Sequence, residues 1–404
     1  MNILARTAIV PSLTTPDIAT AVSRIAEISV VTDPRAIEDE WRRFETSAIG
    51  HVFQTFDFVR PWLQKIGADE IAPRIVVGRE LRGDIVFLLP FGIRRCLGAT
   101  LLEWLGGPYA DYHAGLFAPH LLASLAGDKA LRLALVEAAM APLRAEVDVV
   151  HFRHQPETLG DYPNPFAAWH PSHHRRRAHW TRLAPDWDTY YRSKRNSSSR
   201  RHDRLKWEKM ADLGPVAIID AERPADSRRI LAALFEQKDR TLAAGGVPPF
   251  FASRKVRAFY EAMALKPYPA GPAHVSAIEC DGRIVATNWG LVRGNRYYYV
   301  MTSYEGGAVS RYSPGRALMR HLMRWSIERG ISEFDFTVGD EDFKSHWCEE
   351  NEYLRGSLRV FHPRGALLGA ALAGVRSTKQ LVTTSPQLTR LANQLRCRLA
   401  AKRG

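Results

Sequence analysis

The sequence changes from a strand-like run to a helix at Arg311-Tyr312-Ser313-Pro314-Gly315-Arg316-Ala317. Ser313 suits the N-cap position, and Pro314 suits the first helical position, where a missing N–H costs nothing. Gly315 lowers helix propensity but leaves a bare backbone that a ligand can approach closely. The free N–H groups, the helix dipole and the Arg316 guanidinium together favour an anion such as a pyrophosphate. Simple helix capping is the alternative interpretation.

The residues after this segment predict an amphipathic helix, a strand and an acidic turn. Apolar residues recur at i, i+4 and i+7 of the helix, as Leu318, Leu322 and Trp325. Gly330 stands where a C′ residue would end it. Residues 331–338 then alternate as a short strand, with its two phenylalanines on one face and Asp335 on the other. Residues 339–347 follow as the acidic turn.

Three antiparallel strands are predicted before the helix, at His274–Cys280, Arg283–Arg293 and Arg296–Ser303. The chain thus has three strands, the anion-favouring segment 311–317, a helix, a further strand and an acidic turn. This order resembles the acyl-CoA half of a GCN5-related N-acetyltransferase (GNAT). More narrowly, the chain resembles the CelD/BcsL-like acetyltransferases, which are relatives of the Fem peptidyltransferases. This resemblance covers about residues 28–360 and is carried by Tyr312-Ser313-Pro314-Gly315, Phe334-Asp335-Phe336 and Gly339-Asp340-Glu341-Asp342-Phe343-Lys344-Ser345-His346-Trp347.

The resemblance implies transfer of an acyl group, acetyl or longer, from acyl-CoA to an amine. It also implies an acceptor such as an amino sugar of the cell envelope or of an exopolysaccharide. The donor would be held by Arg311, Ser313, Pro314, Gly315, Arg316 and Ala317. The usual acetyltransferase loop is richer in glycine, with the pattern Gln/Arg-x-x-Gly-x-Gly/Ala. Here Arg311 stands four residues before Gly315 and Ala317 two residues after it, so the match is partial.

Acyl transfer to an amine also needs a polarised thioester carbonyl and a group that removes a proton from the incoming ammonium. In acetyltransferases the carbonyl is polarised largely by a backbone N–H of the strand before the loop, here about residues 300–303. Our first candidate for the base is Asp335, followed by Asp340, Tyr304 and His346. Asp335 can instead be structural, in an ion pair with Lys344 or Arg316. Phe343 and Trp347 are interpreted as packing residues.

Candidates for acceptor binding lie elsewhere in the chain. The loop Gly106-Gly107-Pro108-Tyr109-Ala110-Asp111-Tyr112-His113 combines flexible glycines with a carboxylate and two phenols, and such loops can line a site. In the alternative interpretation Asp111 only caps a turn. The resemblance favours substrate contact for Asp111 and Tyr112. Asn288 and Lys344 are two further candidates.

Composition limits the class of protein. The chain has 404 residues, 46% of them hydrophobic, and can bury a sizeable core. It has no run of 18 apolar residues and no signal peptide at its start, so we expect a cytoplasmic protein. Its four cysteines form no CxxC pair, and the histidine pairs His151/His154 and His173/His174 have no nearby Cys or Glu to complete a ligand set. We therefore predict neither a metal site nor a disulfide framework.

The net charge of +13 is concentrated in two places. Residues 366–404 contain seven Lys or Arg and no acid, and this tail could touch an anionic membrane surface weakly, at the inner membrane. Residues 192–209 contain eight Lys or Arg against two acids and predict a basic helix. Because no recognised nucleic-acid-binding fold accompanies this helix, nucleic acid is an unfavoured partner.

The alternation of helices and strands predicts an α/β (α+β) fold. The resemblance implies a GNAT domain in the second half, and residues 28–155 show a shorter version of the same pattern, so we expect two tandem GNAT-like domains, each a mostly antiparallel sheet flanked by helices. Only the second has a Ser-Pro-Gly loop and should hold the acyl donor. The predicted segments are a leader (1–27), an N-terminal domain (28–155), a linker (156–187), a C-terminal domain (188–365) and a basic tail (366–404). One helix is expected over Leu121–Leu143.

Two other functions remain open at this point. The chain could be a non-catalytic accessory or scaffold protein of a polysaccharide synthase, which would have no need of Gly315 or Arg316. It could also use aminoacyl-tRNA, as Fem relatives do. We rank the second alternative below acyl-CoA, because the sequence lacks the long heptad-patterned arm that some Fem relatives carry.

Overall fold

The structure, a computed structural model, describes residues 6–8, 25–245 and 247–384. Most of the predicted leader and the second half of the predicted basic tail therefore lie outside the described residues. The chain forms two compact units. The first contains the chain up to Arg177 together with Glu352–Lys379, and the second contains Ala178–Asn351.

The strands are β1 (Arg6–Ala8), β2 (Ile25–Val31), β3 (Ala72–Glu80), β4 (Ile85–Cys96), β5 (Ala99–Trp104), β6 (Leu116–Phe117), β7 (Val149–Gln155), β8 (Thr158–Leu159), β9 (Tyr162–Pro163), β10 (Pro171–Arg182), β11 (Val216–Asp220), β12 (Ala273–Cys280), β13 (Arg283–Arg293), β14 (Arg296–Tyr304), β15 (Glu333–Val338) and β16 (Glu350–Val360). The helices are α1 (Glu38–Glu45), α2 (Phe56–Trp62), α3 (Pro119–Leu125), α4 (Lys129–Met140), α5 (Trp187–Lys194), α6 (Ser197–Ala211), α7 (Pro224–Ala244), α8 (Arg254–Met263), α9 (Pro314–Glu328) and α10 (Ala366–Thr384).

The sheet of the first unit has the strand order β1-β2-β3-β4-β5-β7-β16. Neighbouring strands are antiparallel except β5 and β7, which are parallel and are joined by a crossover that contains α3 and α4. Its core consists mostly of aliphatic side chains and contains a group of packed aromatic rings, Phe91, Trp104, Phe152, Phe166 and Trp169. Apolar side chains packed at this density supply most of the unit's stability.

The second unit repeats this arrangement, with the strand order β10-β15-β14-β13-β12-β11. The pairs are antiparallel except β14 and β15, which are parallel and are joined by the single helix α9. One face of α9 is buried, and Leu318, Leu322 and Trp325 reach the core against the sheet, as their helical spacing predicts. The fold class predicted from the sequence, a mostly antiparallel sheet flanked by helices in each of two units, is confirmed.

Some predicted elements differ from the structure. The helix expected over Leu121–Leu143 is interrupted, because the Asp128 carboxylate accepts hydrogen bonds from the N–H groups of Ala130 and Leu131 and so starts a new helix. The segment 156–187, predicted as a linker, contains β8, β9 and β10. Its many His and Arg residues hid the strand character of β10, in which Ala178 and Thr181 are buried among the side chains described, at residues 171 and 177–182.

The predicted C-terminal domain extends to residue 365, but its last strand belongs largely to the first unit. Strand β16 begins at Glu350 and pairs antiparallel with β7 of the first unit. The register joins Leu358 to His151 and Val360 to Val149. Sequence periodicity identifies a strand but carries no information about which distant strand will be its partner, so this return to the first unit could not be predicted.

Candidate functional site

The second unit contains an opening between two strands of its sheet. Strands β14 and β15 pair in parallel only over Arg296–Tyr298 and Glu333–Asp335. Both strands continue beyond this pairing, β14 to Tyr304 and β15 to Val338, so they separate from each other there. A bulge lies at the same point of β14, because Trp289 pairs with Met301 but Leu291 pairs with Tyr298. The two residues Tyr299 and Val300 thus oppose one residue of β13. A bulge leaves a backbone group outside the ladder and redirects side chains.

A cavity of about 280 Å³ lies where the two strands part. Its walls come from the end of β14, the start of α9, the turn after β15 and the loop after α5. All of its lining residues belong to the second unit: Arg195, Tyr299, Thr302, Tyr304, Ser310, Ser313, Gly315, Arg316, Met319, Phe343, His346 and Trp347. Apolar and aromatic walls with a few polar groups are typical of small-molecule sites.

Helix α9 begins at Pro314, as predicted, but Ser313 does not act as the predicted N-cap. Pro314 is the first helical residue and is buried, as predicted. Ser313 makes no side-chain cap; its φ of 57° is left-handed, and its hydroxyl accepts a hydrogen bond from Lys206 Nζ at 2.8 Å. A left-handed conformation is costly for a residue other than glycine and is concentrated at functional sites.

Gly315 is required by the packing of this helix start. A Cβ atom at this position would lie 2.9 Å from Cδ1 of Tyr304, a ring that is itself 56% exposed. The Tyr304 ring therefore rests directly on the Gly315 backbone at the cavity wall. This is the close approach for which the sequence suggested a glycine.

A buried carboxylate organises the positive charge beside the cavity. Asp203, on α6, is only 2% exposed, and its Oδ2 accepts a hydrogen bond from the Tyr191 hydroxyl at 2.7 Å. Three guanidinium groups surround it, with nitrogen–oxygen distances of 3.6, 3.7 and 3.9 Å for Arg316, Arg320 and Arg195. Because three cations share one carboxylate, the cluster keeps a positive charge where Arg195 and Arg316 line the cavity.

Asp203→Asn is expected to lower the affinity for CoA about tenfold, because the amide leaves three arginines to repel one another and Arg316 loses its fixed position. The free energy of unfolding should fall by about 2 kcal/mol. Calorimetric titration and urea unfolding measure the two effects. The matched control is Glu208→Gln on the same helix, where the exposed pair with Arg204 contributes little. Unchanged CoA affinity in Asp203→Asn would remove this residue from the site.

Asp335, the first candidate for the catalytic base, does not line the cavity. Its side chain is completely buried. Oδ2 lies 3.1 Å from Nη1 of Arg296, and Oδ1 accepts the N–H of Thr337 at 2.7 Å. Thr337 has a φ of 55°, so this hydrogen bond supports a left-handed residue at the end of β15. The structural alternative named Lys344 or Arg316 as the partner, and the structure places Arg296 there instead.

Of the other three candidates for the catalytic base, two line the cavity and one does not. Tyr304 and His346 both line the cavity, from β14 and from the turn after β15. Asp340 is exposed, and its Oδ1 lies 3.1 Å from Nε2 of His179. Of the predicted donor residues, Ser313, Gly315 and Arg316 line the cavity. Pro314 and Ala317 are buried beneath it, and Arg311 is exposed with its guanidinium over the Tyr312 ring.

The predicted acceptor residues lie away from the cavity lining. Asn288 is fully buried in β13 and donates to the Tyr297 hydroxyl at 2.8 Å. Lys344 is buried and is held by Glu341 and by the carbonyl oxygen of Gly339, at 2.9 and 3.2 Å. Asp111 and Tyr112 belong to the first unit, where the Tyr112 ring stacks on His51 with 4.4 Å between ring centroids.

Several lining residues had no signal that the sequence could reveal. Tyr299 and Thr302 reach the cavity because of the bulge in β14, and desolvation of the Tyr299 phenol raises its pKa to about 12, so the hydroxyl stays protonated. Lys238 of α7 supports the same strand by donating to the Thr302 carbonyl oxygen at 3.3 Å. Phe343 and Trp347, interpreted as packing residues, also line the cavity. The sequence did contain one indication of the site beside these residues. Asp203 is an acidic residue within a basic segment, and the structure places it next to the lining residues Arg195 and Arg316.

Within the part of the chain that the structure describes, no group of three or more His, Cys, Asp or Glu side chains could hold a metal ion. The side chains of His173 and His174 lie outside that part.

Residues 197–345 match the family model described as "Acetyltransferase (GNAT) domain". None of the curated proteins compared with the chain is a match. Among solved structures, FemX is similar with a TM-score of 0.60 and 13% identity over 82% of this chain and 98% of FemX. L-PGS from Bacillus licheniformis has a TM-score of 0.50 and 12% identity, over 84% of this chain and 96% of that one. A conserved protein of unknown function from Bacteroides thetaiotaomicron VPI-5482 has a TM-score of 0.51 and 10% identity, over 81% of this chain and 98% of that one.

These comparisons support a GNAT acetyltransferase domain in the second unit and a fold shared with FemX. The matched residues 197–345 include most of the cavity lining, from Tyr299 to Phe343. The identities are too low to carry a substrate from any of these structures to this chain. The narrower CelD/BcsL-like assignment stays a prediction.

Proposed function

We propose that this chain, which carries a GNAT acetyltransferase domain, is an N-acyltransferase that moves an acyl group from acyl-CoA to an amine. One observation carries the proposal. A cavity where two strands part combines a positively charged helix start with two groups able to transfer protons, Tyr304 and His346. Acyl transfer from an anionic donor requires both components.

The donor's phosphates are assigned to the start of α9. Ser313, Gly315 and Arg316 line the cavity at the positive end of the helix dipole. The left-handed Ser313 turns the chain sharply into the helix, and Gly315, against which the Tyr304 ring rests, lines the cavity. Arg316 is held 3.6 Å from Asp203 and has a side chain that is partly exposed, so it can contact a phosphate without losing its orientation. Arg195, in the loop after α5, adds a second positive charge to the cavity lining.

The bulge in β14 supplies a place to polarise the thioester carbonyl. Residues 299 and 300 oppose a single residue of β13, and a backbone N–H that leaves the ladder can point to the developing oxyanion. The bulge lies close to residues 300–303, where the resemblance implied a backbone N–H that polarises the carbonyl. Tyr299 and Thr302 then form the wall beside the acyl group.

His346 is assigned as the general base and Tyr304 as the general acid. In the proposed step, His346 accepts a proton from the acceptor ammonium, and the free amine nitrogen attacks the thioester carbon. The C–N bond forms and the C–S bond breaks, and the leaving thiolate receives a proton from the Tyr304 hydroxyl. The nitrogen of the new amide gives up its second proton to the Tyr304 phenolate, which restores the hydroxyl. Asp335 is assigned a structural role, because its buried carboxylate is occupied by Arg296 and by the Thr337 N–H.

The acceptor is proposed as an amine, and the resemblance favours an amino sugar of the cell envelope or of an exopolysaccharide. We place the reaction in the cytoplasm, as the sequence led us to expect. Of the predicted acceptor residues, Lys344 follows Phe343 in the turn that borders the cavity and holds this turn through Glu341. Its proposed role is therefore to position Phe343 and His346.

Calorimetric titration of the purified chain with acetyl-CoA, CoA and a long-chain acyl-CoA tests this function. Saturable binding of at least one of them is expected, and the ratio of the two acyl donors then gives the preferred acyl length. No binding to any of the three would overturn the acyl-CoA assignment. Titration with an aminoacyl-tRNA would then separate a tRNA-dependent transferase from a scaffold protein.

His346→Gln is expected to lower kcat about a hundredfold at neutral pH while leaving CoA affinity unchanged, because glutamine keeps hydrogen bonding but cannot accept the proton. The measurement is steady-state release of the CoA thiol with an excess of a primary amine. His120→Gln, on the first unit, is the control, since His120 is exposed and pairs only with Glu80 among the contacts described for its side chain. A His346→Gln enzyme with full activity would exclude His346 as the base.

A further inference from the structure

Lys238 of α7 places a primary amine in the gap between the parting strands β14 and β15. Its Nζ donates a hydrogen bond to the carbonyl oxygen of Thr302 at 3.3 Å. In β14 the Glu305 N–H donates to the carbonyl oxygen of Val285, so the backbone groups of residues 303 and 305 point towards β13. Those of residue 302 point the other way, because the direction alternates along an antiparallel ladder. The Thr302 carbonyl group therefore faces the gap that β15 leaves open, and Nζ of Lys238 lies there.

The lysine reaches this gap from the face of the sheet opposite to α9. Gln237, its neighbour in α7, accepts a hydrogen bond from the Thr287 hydroxyl at 3.0 Å. Asn288, the next residue of β13, points to the other face, where it donates to the Tyr297 hydroxyl. The Tyr297 ring packs edge-on against Trp325 of α9. Since successive side chains of a strand lie on opposite faces, α7 and α9 cover opposite faces of this sheet. The amine and the start of α9 thus approach the gap from two sides.

The chemical state of Lys238 suits a nucleophile. Its side chain is half-buried, and among the described residues no carboxylate forms an ion pair with it. Burial lowers the pKa of its ammonium group, while the Glu341 carboxylate acts in the opposite direction. The neutral amine therefore forms at a lower pH than in an exposed lysine. Lys344, which is also buried, is instead held as an ion by Glu341 at 2.9 Å.

We propose that Lys238 is a site of self-acylation, to which the chain transfers the acyl group of its own bound donor. The site rests on the proposed function, because its acyl group comes from acyl-CoA. The thioester carbonyl is assigned to residues 299 and 300, and residue 300 lies two residues from Thr302, roughly 7 Å along a strand. The flexible four-carbon stem of a lysine can move its amine over that distance.

The reaction at Lys238 needs no reactant beyond the donor. The neutral Nζ attacks the thioester carbon, the C–N bond forms and the C–S bond breaks. The surplus proton of the nitrogen passes to the leaving thiolate. The products are an N-acyl lysine and CoA with a free thiol.

Incubation of the purified chain with acetyl-CoA or a long-chain acyl-CoA, followed by intact-mass measurement and peptide mapping, tests the proposal. The mass should rise by one acyl group, and the modified peptide should contain Lys238. Because the donor and the amine are held by one chain, the rate constant should be unchanged when the protein is diluted about tenfold. Donor binding in the calorimetric titration without acylation of Lys238 would overturn this proposal and leave the proposed function standing. Absence of donor binding would overturn both.

Lys238→Arg keeps the positive charge, but arginine stays protonated and cannot attack the thioester, so acyl incorporation should fall at least about tenfold. The matched control is Lys266→Arg, which changes an exposed lysine between α8 and β12 and should be acylated like the wild type. Circular dichroism confirms that both variants are folded, and peptide mapping of the wild type identifies the site without any variant. Gly315→Trp, which places an indole at the donor site, should lose the modification as well. Acylation of Lys238 at the wild-type rate in Gly315→Trp would overturn the proposal, since the acyl group would then come from unbound acyl-CoA.

Discussion

Gly315→Trp should lower the affinity for acyl-CoA at least about a thousandfold, which is about 4 kcal/mol of binding free energy. The expected cause is steric. Even a Cβ atom at residue 315 would lie 2.9 Å from the Tyr304 ring, and because Gly315 lines the cavity, an indole there would take space that the donor needs. Calorimetric titration with acetyl-CoA and with CoA measures the loss.

The control for this variant is a second tryptophan placed where the structure leaves room. Gly127, between α3 and α4, has no atom within 4 Å of the position that a Cβ would occupy. Gly127→Trp should bind the donor like the wild type. Gly315→Ala should fall between the two, because the exposed Tyr304 ring can move by the few tenths of an ångström that a methyl group needs. Full donor binding by Gly315→Trp would remove α9 from the donor site.

Asp335→Ala should lower the free energy of unfolding by about 3–5 kcal/mol, measured by urea denaturation. The carboxylate is completely buried, and its loss leaves the Arg296 guanidinium without one of its two carboxylate partners. The N–H of Thr337 also loses its acceptor, at a residue with a left-handed backbone. An uncompensated buried polar group costs more than the original ion pair contributes.

The same measurement distinguishes a structural Asp335 from a catalytic one. The matched control is Asp340→Asn, five residues along the chain, whose exposed carboxylate faces His179 and should contribute less than about 1 kcal/mol. A variant Asp335→Ala that is as stable as the wild type, yet cannot transfer the acyl group, would return Asp335 to the role of base. In that case the assignment of His346 would be wrong.

Local features of the second unit were predictable from the sequence. Pro314 begins α9 and Gly330, with a φ of 72°, follows its end, because both residues determine the backbone conformation at their own positions. The strands β12, β13 and β14 agree with their predicted bounds to within a residue or so. Alternation along the chain contains this information, and no distant contact is needed to obtain it.

Features that depend on distant contacts were not predictable. Ser313 has a sequence that suits an N-cap, but Lys206, more than a hundred residues earlier, takes its hydroxyl, and the backbone turns left-handed. Asp335 is on a predicted strand, but nothing local names Arg296 as its partner. In both cases the sequence identified an important residue and the fold changed its role.

The candidate site was predicted in part. Ser313, Gly315, Arg316, Tyr304 and His346 were named from the sequence, and all of them line the cavity. Tyr299 and Thr302 were missed because a bulge, which has no sequence signature here, turns them inward. Arg195 was missed because its charge was counted with a helix of unassigned function, whereas Asp203 of the next helix holds it near the site.

The return of β16 to the first unit has a consequence for synthesis of the chain. A ribosome makes the first 177 residues early, but β7 receives its antiparallel neighbour only after residues 352–360 have been made. Until then the edge of β7 is an open row of backbone donors and acceptors, which is a site for aggregation. The first unit must therefore remain incomplete while the whole second unit is translated. Expression of residues 1–177 alone should yield an aggregating product, whereas a gene that joins 352–379 to them should restore solubility.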